Sequence, residues 1–159
     1  MQTLIVYDSY FGNTEKVAQQ IGKSLGSPKE AEVCRVKEAA QQKLKGLKIL
    51  VVGSPTRAFS PSPAIKKFLK SIPKDSLMGI RVAAFDTRIS EEEVDSKILS
   101  FLVKLFGYAA QPILQKLVKK GGEPAPVSPE GFIVKDTEGP LKEGELKRAA
   151  DWGKWIKEG

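Results

Sequence analysis

The stretch TLIVYDSYFGNTEKVAQQIGKSL, Thr3 to Leu25, contains a short apolar run, a polar loop with one glycine, and an amphipathic helix. Thr3 to Tyr7 is continuously apolar or β-branched, as suits a strand buried on both faces. Asp8 to Thr14 supplies hydroxyl, amide and glycine positions where the chain turns. From Thr14 onward, Val17, Ala18, Ile21 and Leu25 share one helical face, and Gly26 is a natural stop. The loop thus feeds a helix N-terminus, where backbone N–H groups lack partners and the dipole is positive. An anion is the expected guest. The plainer alternative is an ordinary βα turn in which Asn13 or Thr14 is only an N-cap. No Gly-Lys-Ser/Thr ending follows, so this is not a P-loop, and G-x-G-x-x-G is absent.

Working outward, the same alternation of strand and helix repeats. The second strand is expected at Ala31–Val36, with a short helical turn over Lys37–Lys43. LKILVVG (Leu47–Gly53) reads as a third buried strand, followed by a polar loop, Ser54–Ser60. Ser62 caps a helix whose first position is Pro63, with Ile65, Phe68, Leu69 and Ile72 on its buried face. RVAAF (Arg81–Phe85) is the fourth strand, entering a loop at Asp86–Thr87–Arg88. A helical region is expected over Val94–Lys120, broken near Gly107 and Pro112 and ended by Gly121 and Gly122. GFIV (Gly131–Val134) is the fifth strand, with a short strand piece near Ala125–Val127. Lys135–Pro140 is turn-like, and Leu146, Ala149, Ala150, Gly153 and Ile156 mark the last helix. The pattern predicts an α/β fold, a three-layer αβα sandwich around a five-stranded parallel sheet. One domain over 1–159 is expected.

Composition narrows the chemistry. There is no histidine, which removes Ser–His–Asp hydrolysis and imidazole-ligated zinc. The single cysteine, Cys34, sits between alternating apolar residues and reads as core. The net charge is +7, spread over helix faces (Lys66, Lys67, Lys70, Lys74; Lys116, Lys119, Lys120). Aromatic residues do not interleave with these lysines, so no nucleic-acid surface is expected, and anionic partners are favoured. No apolar run approaches a membrane span and no basic-then-apolar leader opens the chain, so cytoplasmic residence is expected.

In an open parallel sheet, ligands sit beyond the carboxyl ends of the strands, where strand order reverses. The order 2-1-3-4-5 puts Ser9–Thr14 and Ser54–Ser60 at that point, with Asp86–Arg88 beside them. Tyr10, Phe11 and Phe59 offer flat apolar surface, and Arg57 a permanent cation. Phe59 also reads as a core plug, and Asp86 as a turn residue or cap. Trp155 reads as a packing or partner-surface residue.

The segment VYDSYFGNTEKVAQQI resembles the phosphate loop of the flavodoxin family, with Ser9, Gly12, Asn13 and Thr14 matching. GSPTRAF (Gly53–Phe59) is similar to the second flavin loop, especially that of flavodoxin-like NAD(P)H:quinone oxidoreductases. AFDTR matches by position only, and DTEGPLKEGEL also resembles small flavodoxin-like proteins. The resemblance implies the flavodoxin-like sandwich with order 2-1-3-4-5 and FMN as cofactor. The FMN contacts it implies are Ser9, Tyr10, Phe11, Gly12, Asn13, Thr14, Ser54, Pro55, Thr56, Arg57, Ala58, Phe59, Asp86, Thr87 and Arg88. Phe11 stands where the family keeps a hydroxyl, so one phosphate hydrogen bond is missing, a loss of about 1 kcal/mol. The chain is also basic, whereas electron-carrying flavodoxins are acidic.

The resemblance implies an electron carrier acting between redox partner proteins, here with acidic surfaces. The alternative is an FMN-dependent NAD(P)H:quinone-type oxidoreductase, with NAD(P)H and a small acceptor as partners and phosphate cations from Arg57 and Arg88. Whether the chain is itself an enzyme stays open, as does its oligomeric state. A cofactor-free interaction module on the same fold is a third reading. A response-regulator receiver is disfavoured, because the third strand ends Gly53–Ser54 with no acid to phosphorylate.

Overall fold

The computed structural model describes residues 2–39, 41–57, 59–89 and 108–158. The elements in chain order are β1 (Thr3–Tyr7), α1 (Asn13–Leu25), β2 (Ala31–Arg35) and two 3-10 turns (Val36–Glu38, Gln41–Leu44). Then come β3 (Ile49–Pro55), α2 (Pro63–Ser71), β4 (Arg81–Ile89), α3 (Ala110–Lys119), β5 (Glu123–Pro124), β6 (Glu130–Val134) and α4 (Glu145–Glu158). The expected helix before Gly107, and Ala58, lie outside the described residues.

The sheet is parallel throughout, in the order β2-β1-β3-β4, with β5 and β6 both paired to the far edge of β4. This is the expected 2-1-3-4-5 order, its fifth place filled by two pieces. Alternation along each strand divides the core in two. Leu4, Val6, Leu50, Val52, Val82 and Ala84 face α2 and α3, meeting Ile65, Leu69, Ile113 and Leu117. Ile5, Tyr7, Val51, Ala83 and Phe85 face α1 and α4, meeting Val17, Ile21, Ala149, Trp152 and Ile156. Each fully buried aliphatic side chain contributes about 1.5–3 kcal/mol, so the two helix layers together supply most of the burial that holds the sheet.

Local chemistry explains most boundaries. The Ser62 hydroxyl accepts from the Ile65 N–H at 3.3 Å, and Pro63 opens α2 as expected. At the end of α3, Gly121 adopts φ +104°, and the Gly121 and Gly122 N–H groups return to Val118 and Leu117. Helices α1 and α4 pack closely because Gly153 lacks a side chain: a Cβ there would strike Ser24 Oγ.

Several expectations are corrected. Asp86–Thr87–Arg88 is not a loop but the last part of β4, paired with β3 on one side (Ser54 with Asp86, Pro55 with Thr87) and with β6 on the other. Its polar side chains are tolerated in a central strand because Asp86 and Arg88, two residues apart, share a face and bond each other. β2 ends at Arg35 rather than Val36, which begins a 3-10 turn, and the helical turn after it is two such turns. β3 begins at Ile49 and runs on to Pro55. The short strand piece is Glu123–Pro124, not Ala125–Val127. Pro126 and Pro129 have no N–H to give β4, so the ladder stops after Ala125 and resumes at Glu130. In the last helix Leu146 is exposed, while Trp152 takes the buried position.

Candidate functional site

The carboxyl ends of β1, β3 and β4 converge on a cleft of about 160 Å³. Its floor is the start of α1. Gly12 is the N-cap in the left-handed region (φ +93°), a conformation that favours glycine, and no side chain caps the helix. The first intrahelical bond is Lys16 N–H to Gly12 C=O. Neither Asn13 nor Thr14 is the cap, which corrects the plainer reading of this turn.

The loop before α1 is braced from within and from β2. Ser9 N–H donates to Asp8 Oδ1 at 2.9 Å, and Gly12 N–H donates to Ser9 Oγ at 3.0 Å. Arg35, at the end of β2, donates to the Ser9 carbonyl at 2.9 Å and pairs with Glu15 at 3.5 Å. Tyr7 donates to the same Glu15 at 2.7 Å; burial first, then that bond, pushes its hydroxyl up to about 12.

Two hydroxyls tie the first segment to the third: Thr14 Oγ1 and Thr87 Oγ1 lie 2.8 Å apart. Whichever donates, the other keeps its O–H for an acceptor in the cleft. The Asn13 amide donates to the Glu138 carbonyl at 3.1 Å, packing so closely that a Cβ on Gly139 would collide with it. The turn at 136–140 therefore closes one side of the cleft, and Thr137 reaches its lining with Ile89 and Val134.

The second segment supplies the opposite wall through Pro55, Thr56 and Arg57. The Arg57 guanidinium carbon lies 4.7 Å from the centre of the Tyr10 ring and 5.3 Å from that of Phe11. Both rings are about half exposed at the mouth (47% and 48%), so flat apolar surface is available there. Arg57 and Ser60 exchange two backbone hydrogen bonds of 2.9 Å, fixing a tight hairpin.

Three expected residues sit elsewhere. Ser54 is fully buried; its hydroxyl donates to the Pro55 carbonyl and accepts from Ser62 N–H, so it shapes the loop from behind. Phe59, at φ +66°, lines a separate groove with Leu69, Pro112 and the lysines 66, 70, 116 and 120. Asp86 is fully buried beneath the cleft rather than in it. Burial pushes its carboxyl up from the ordinary value. Opposing that are both ends of the Arg88 guanidinium at 2.6 Å, the Ala110 N–H at 2.9 Å, and Thr56. Arg88 does line the cleft, its guanidinium stacked 3.6 Å from the centre of the Tyr108 ring. Gly131 makes room for it, since a Cβ there would meet Arg88 Nε.

Arg35 and Tyr108 were not singled out from the sequence, because each acts through partners distant along the chain. Thr137 and Glu138 did carry a signal, in the DTEGP stretch. Among the described residues no group of His, Cys, Asp or Glu could hold a metal ion, and no helix is long and apolar enough to cross a membrane.

These residues fit the phosphate end of FMN. An uncapped helix N-terminus and the hydroxyls of Ser9, Thr14 and Thr87 face one space of phosphate dimensions. The cleft is smaller than the 300 Å³ or so that encloses a drug-sized ligand, so it suits the phosphate end and not the whole cofactor.

A family model described as a flavodoxin domain matches residues 4–120. The chain belongs to this family, whose members bind FMN, the cofactor expected from the sequence. Among solved structures it is similar to oxidised Flavodoxin 2 from Bacillus cereus, at 21% identity and a TM-score of 0.73, covering 99% of each chain. A flavodoxin from the domain Archaea is 21% identical with a TM-score of 0.72, covering 99% of this chain and 97% of that one. A WrbA-like flavodoxin from Agrobacterium tumefaciens is 18% identical with a TM-score of 0.70, covering 98% and 94%. At these identities the likeness is one of fold. A search of curated proteins found no match.

Proposed function

We propose that this chain, as one domain over 1–159, binds FMN at the cleft and carries electrons between redox partners in the cytoplasm. The flavin supplies the one- and two-electron chemistry; the protein supplies binding, orientation and the electrostatic surroundings. The observation that carries the reading is the uncapped start of α1 at Gly12, facing one cleft with Ser9, Thr14 and Thr87. In this reading Asn13 and Thr14 offer backbone N–H groups to the phosphate, and Gly12 supplies the left-handed turn that presents them. Tyr10, Pro55, Thr56 and Ala58 meet the ring or its linker, while Phe11 and Arg57 stand together where the first two segments face each other. Arg88 lines the far wall, with Asp86 holding it. Ser54 and Phe59 act by shaping the second loop.

The net charge of +7 favours partners with acidic surfaces. The test is reconstitution: after mixing with FMN and desalting, the protein should retain flavin absorbance in about 1:1 ratio. A colourless protein after desalting defeats the proposal.

A second reading, an FMN-dependent NAD(P)H:quinone-type oxidoreductase, gains support from two arginines, Arg57 and Arg88, lining one cleft. It predicts that NADPH bleaches the bound flavin anaerobically. An unchanged spectrum over hours removes this option and leaves the carrier.

A further inference from the structure

Three arginines stand around the cleft, and their charges are not equally available. Arg35 is engaged by Glu15 and by the Ser9 carbonyl. Arg88 is held at both ends by the buried Asp86 carboxylate. Among the described residues, no carboxylate pairs with Arg57, whose guanidinium rests only on the Tyr10 and Phe11 rings. Those rings belong to the second and third positions of the loop that precedes α1. The third position, Phe11, is the one without the hydroxyl that the phosphate-loop pattern calls for.

We propose that Arg57 is a phosphate clamp: its guanidinium takes the place of the hydroxyl missing at Phe11 and pairs with the phosphate monoester of the cofactor. This rests on the FMN reading above. Stacking on exposed aromatic faces is a weak hold, while a guanidinium facing a dianion makes two charge-assisted hydrogen bonds. Arg57 is thus parked above the loop and free to exchange the rings for the anion. The hairpin with Ser60 fixes where its side chain starts, on the wall facing the first loop. Phe11 then has a role of its own, as half of the platform that keeps the guanidinium at the phosphate end of the cleft.

The experiment compares FMN with riboflavin, which lacks the phosphate, by flavin-fluorescence titration of wild type, Arg57→Ala and Phe11→Thr/Arg57→Ala. The clamp predicts that Arg57→Ala weakens FMN about tenfold or more and riboflavin less than about twofold, the size of a contact that is not there. It also predicts that FMN affinity of the wild type falls more steeply with salt than that of the variant. Restoring a hydroxyl in Phe11→Thr/Arg57→Ala should recover part of the FMN affinity. Equal losses for FMN and riboflavin overturn the clamp in favour of a ring contact, and so does an unchanged FMN affinity. Failure of wild type to bind FMN at all overturns the cofactor reading itself, and the clamp with it. Circular dichroism of each variant separates these outcomes from misfolding.

Discussion

Asp86 shows how one buried charge organises the site's outer wall. Its carboxylate, fully shielded from solvent, holds the Arg88 guanidinium, takes the Ala110 N–H and so joins β4 to the start of α3. Asp86→Ala leaves Arg88 without its counter-ion and should cost about 3 kcal/mol, read as a lower urea midpoint. Cys34 offers a check of a different kind. Burial pushes its thiol up to about 11. The fold therefore disfavours the thiolate: stability is full below the unfolded thiol value of about 8.5 and is lost as pH rises from there through about 11. Iodoacetamide at pH 8 should label the native protein far more slowly than the urea-unfolded chain. Comparable rates would show that Cys34 is open to solvent.

At the scale of elements, Gly53 carries the sharpest constraint. Within β3 it lies under the Phe85 ring of β4, and a Cβ would run into that ring. Gly53→Ala should cost about 1–3 kcal/mol by overpacking, measured by thermal or urea unfolding. What could be read from sequence divides along the same lines. β1, β3 and α2 were legible because their signals are local: apolar runs for the strands, Ser62–Pro63 for the helix start. Asp86–Arg88 was misread as a loop because polarity was the only local clue; its strand state comes from pairing on both sides and from the Asp86–Arg88 bond. The first segment's place at the cleft was legible from its glycine and hydroxyls. Arg35 and Tyr108 were not, since their roles exist only after distant segments meet. Phe59 was expected near the ring, but the tight hairpin at Arg57–Ser60 turns it toward α2 and α3.

Across the whole molecule, charge and topology act together. The cleft lies at the point where strand order reverses between β1 and β3, so loops from both sides of the reversal reach it. The surrounding protein is strongly basic, with a sequence pI near 9.4. If the chain exchanges electrons with an acidic protein, the second-order rate should fall steeply as ionic strength rises, because screening removes the steering. Stopped-flow mixing over a salt series reads this directly. A flat or rising dependence would point to a neutral or basic partner instead. One further property follows from the indoles of α4. Trp152 is sealed among Phe85 and Phe132 on the underside of the strands that carry the cleft, while Trp155, a turn away, faces water. Emission from the two should differ in colour and in access to acrylamide, so the native molecule contains a sheltered lamp and a bare one. Loosening of the core would merge them into a single quenchable band, a built-in optical gauge that needs no label.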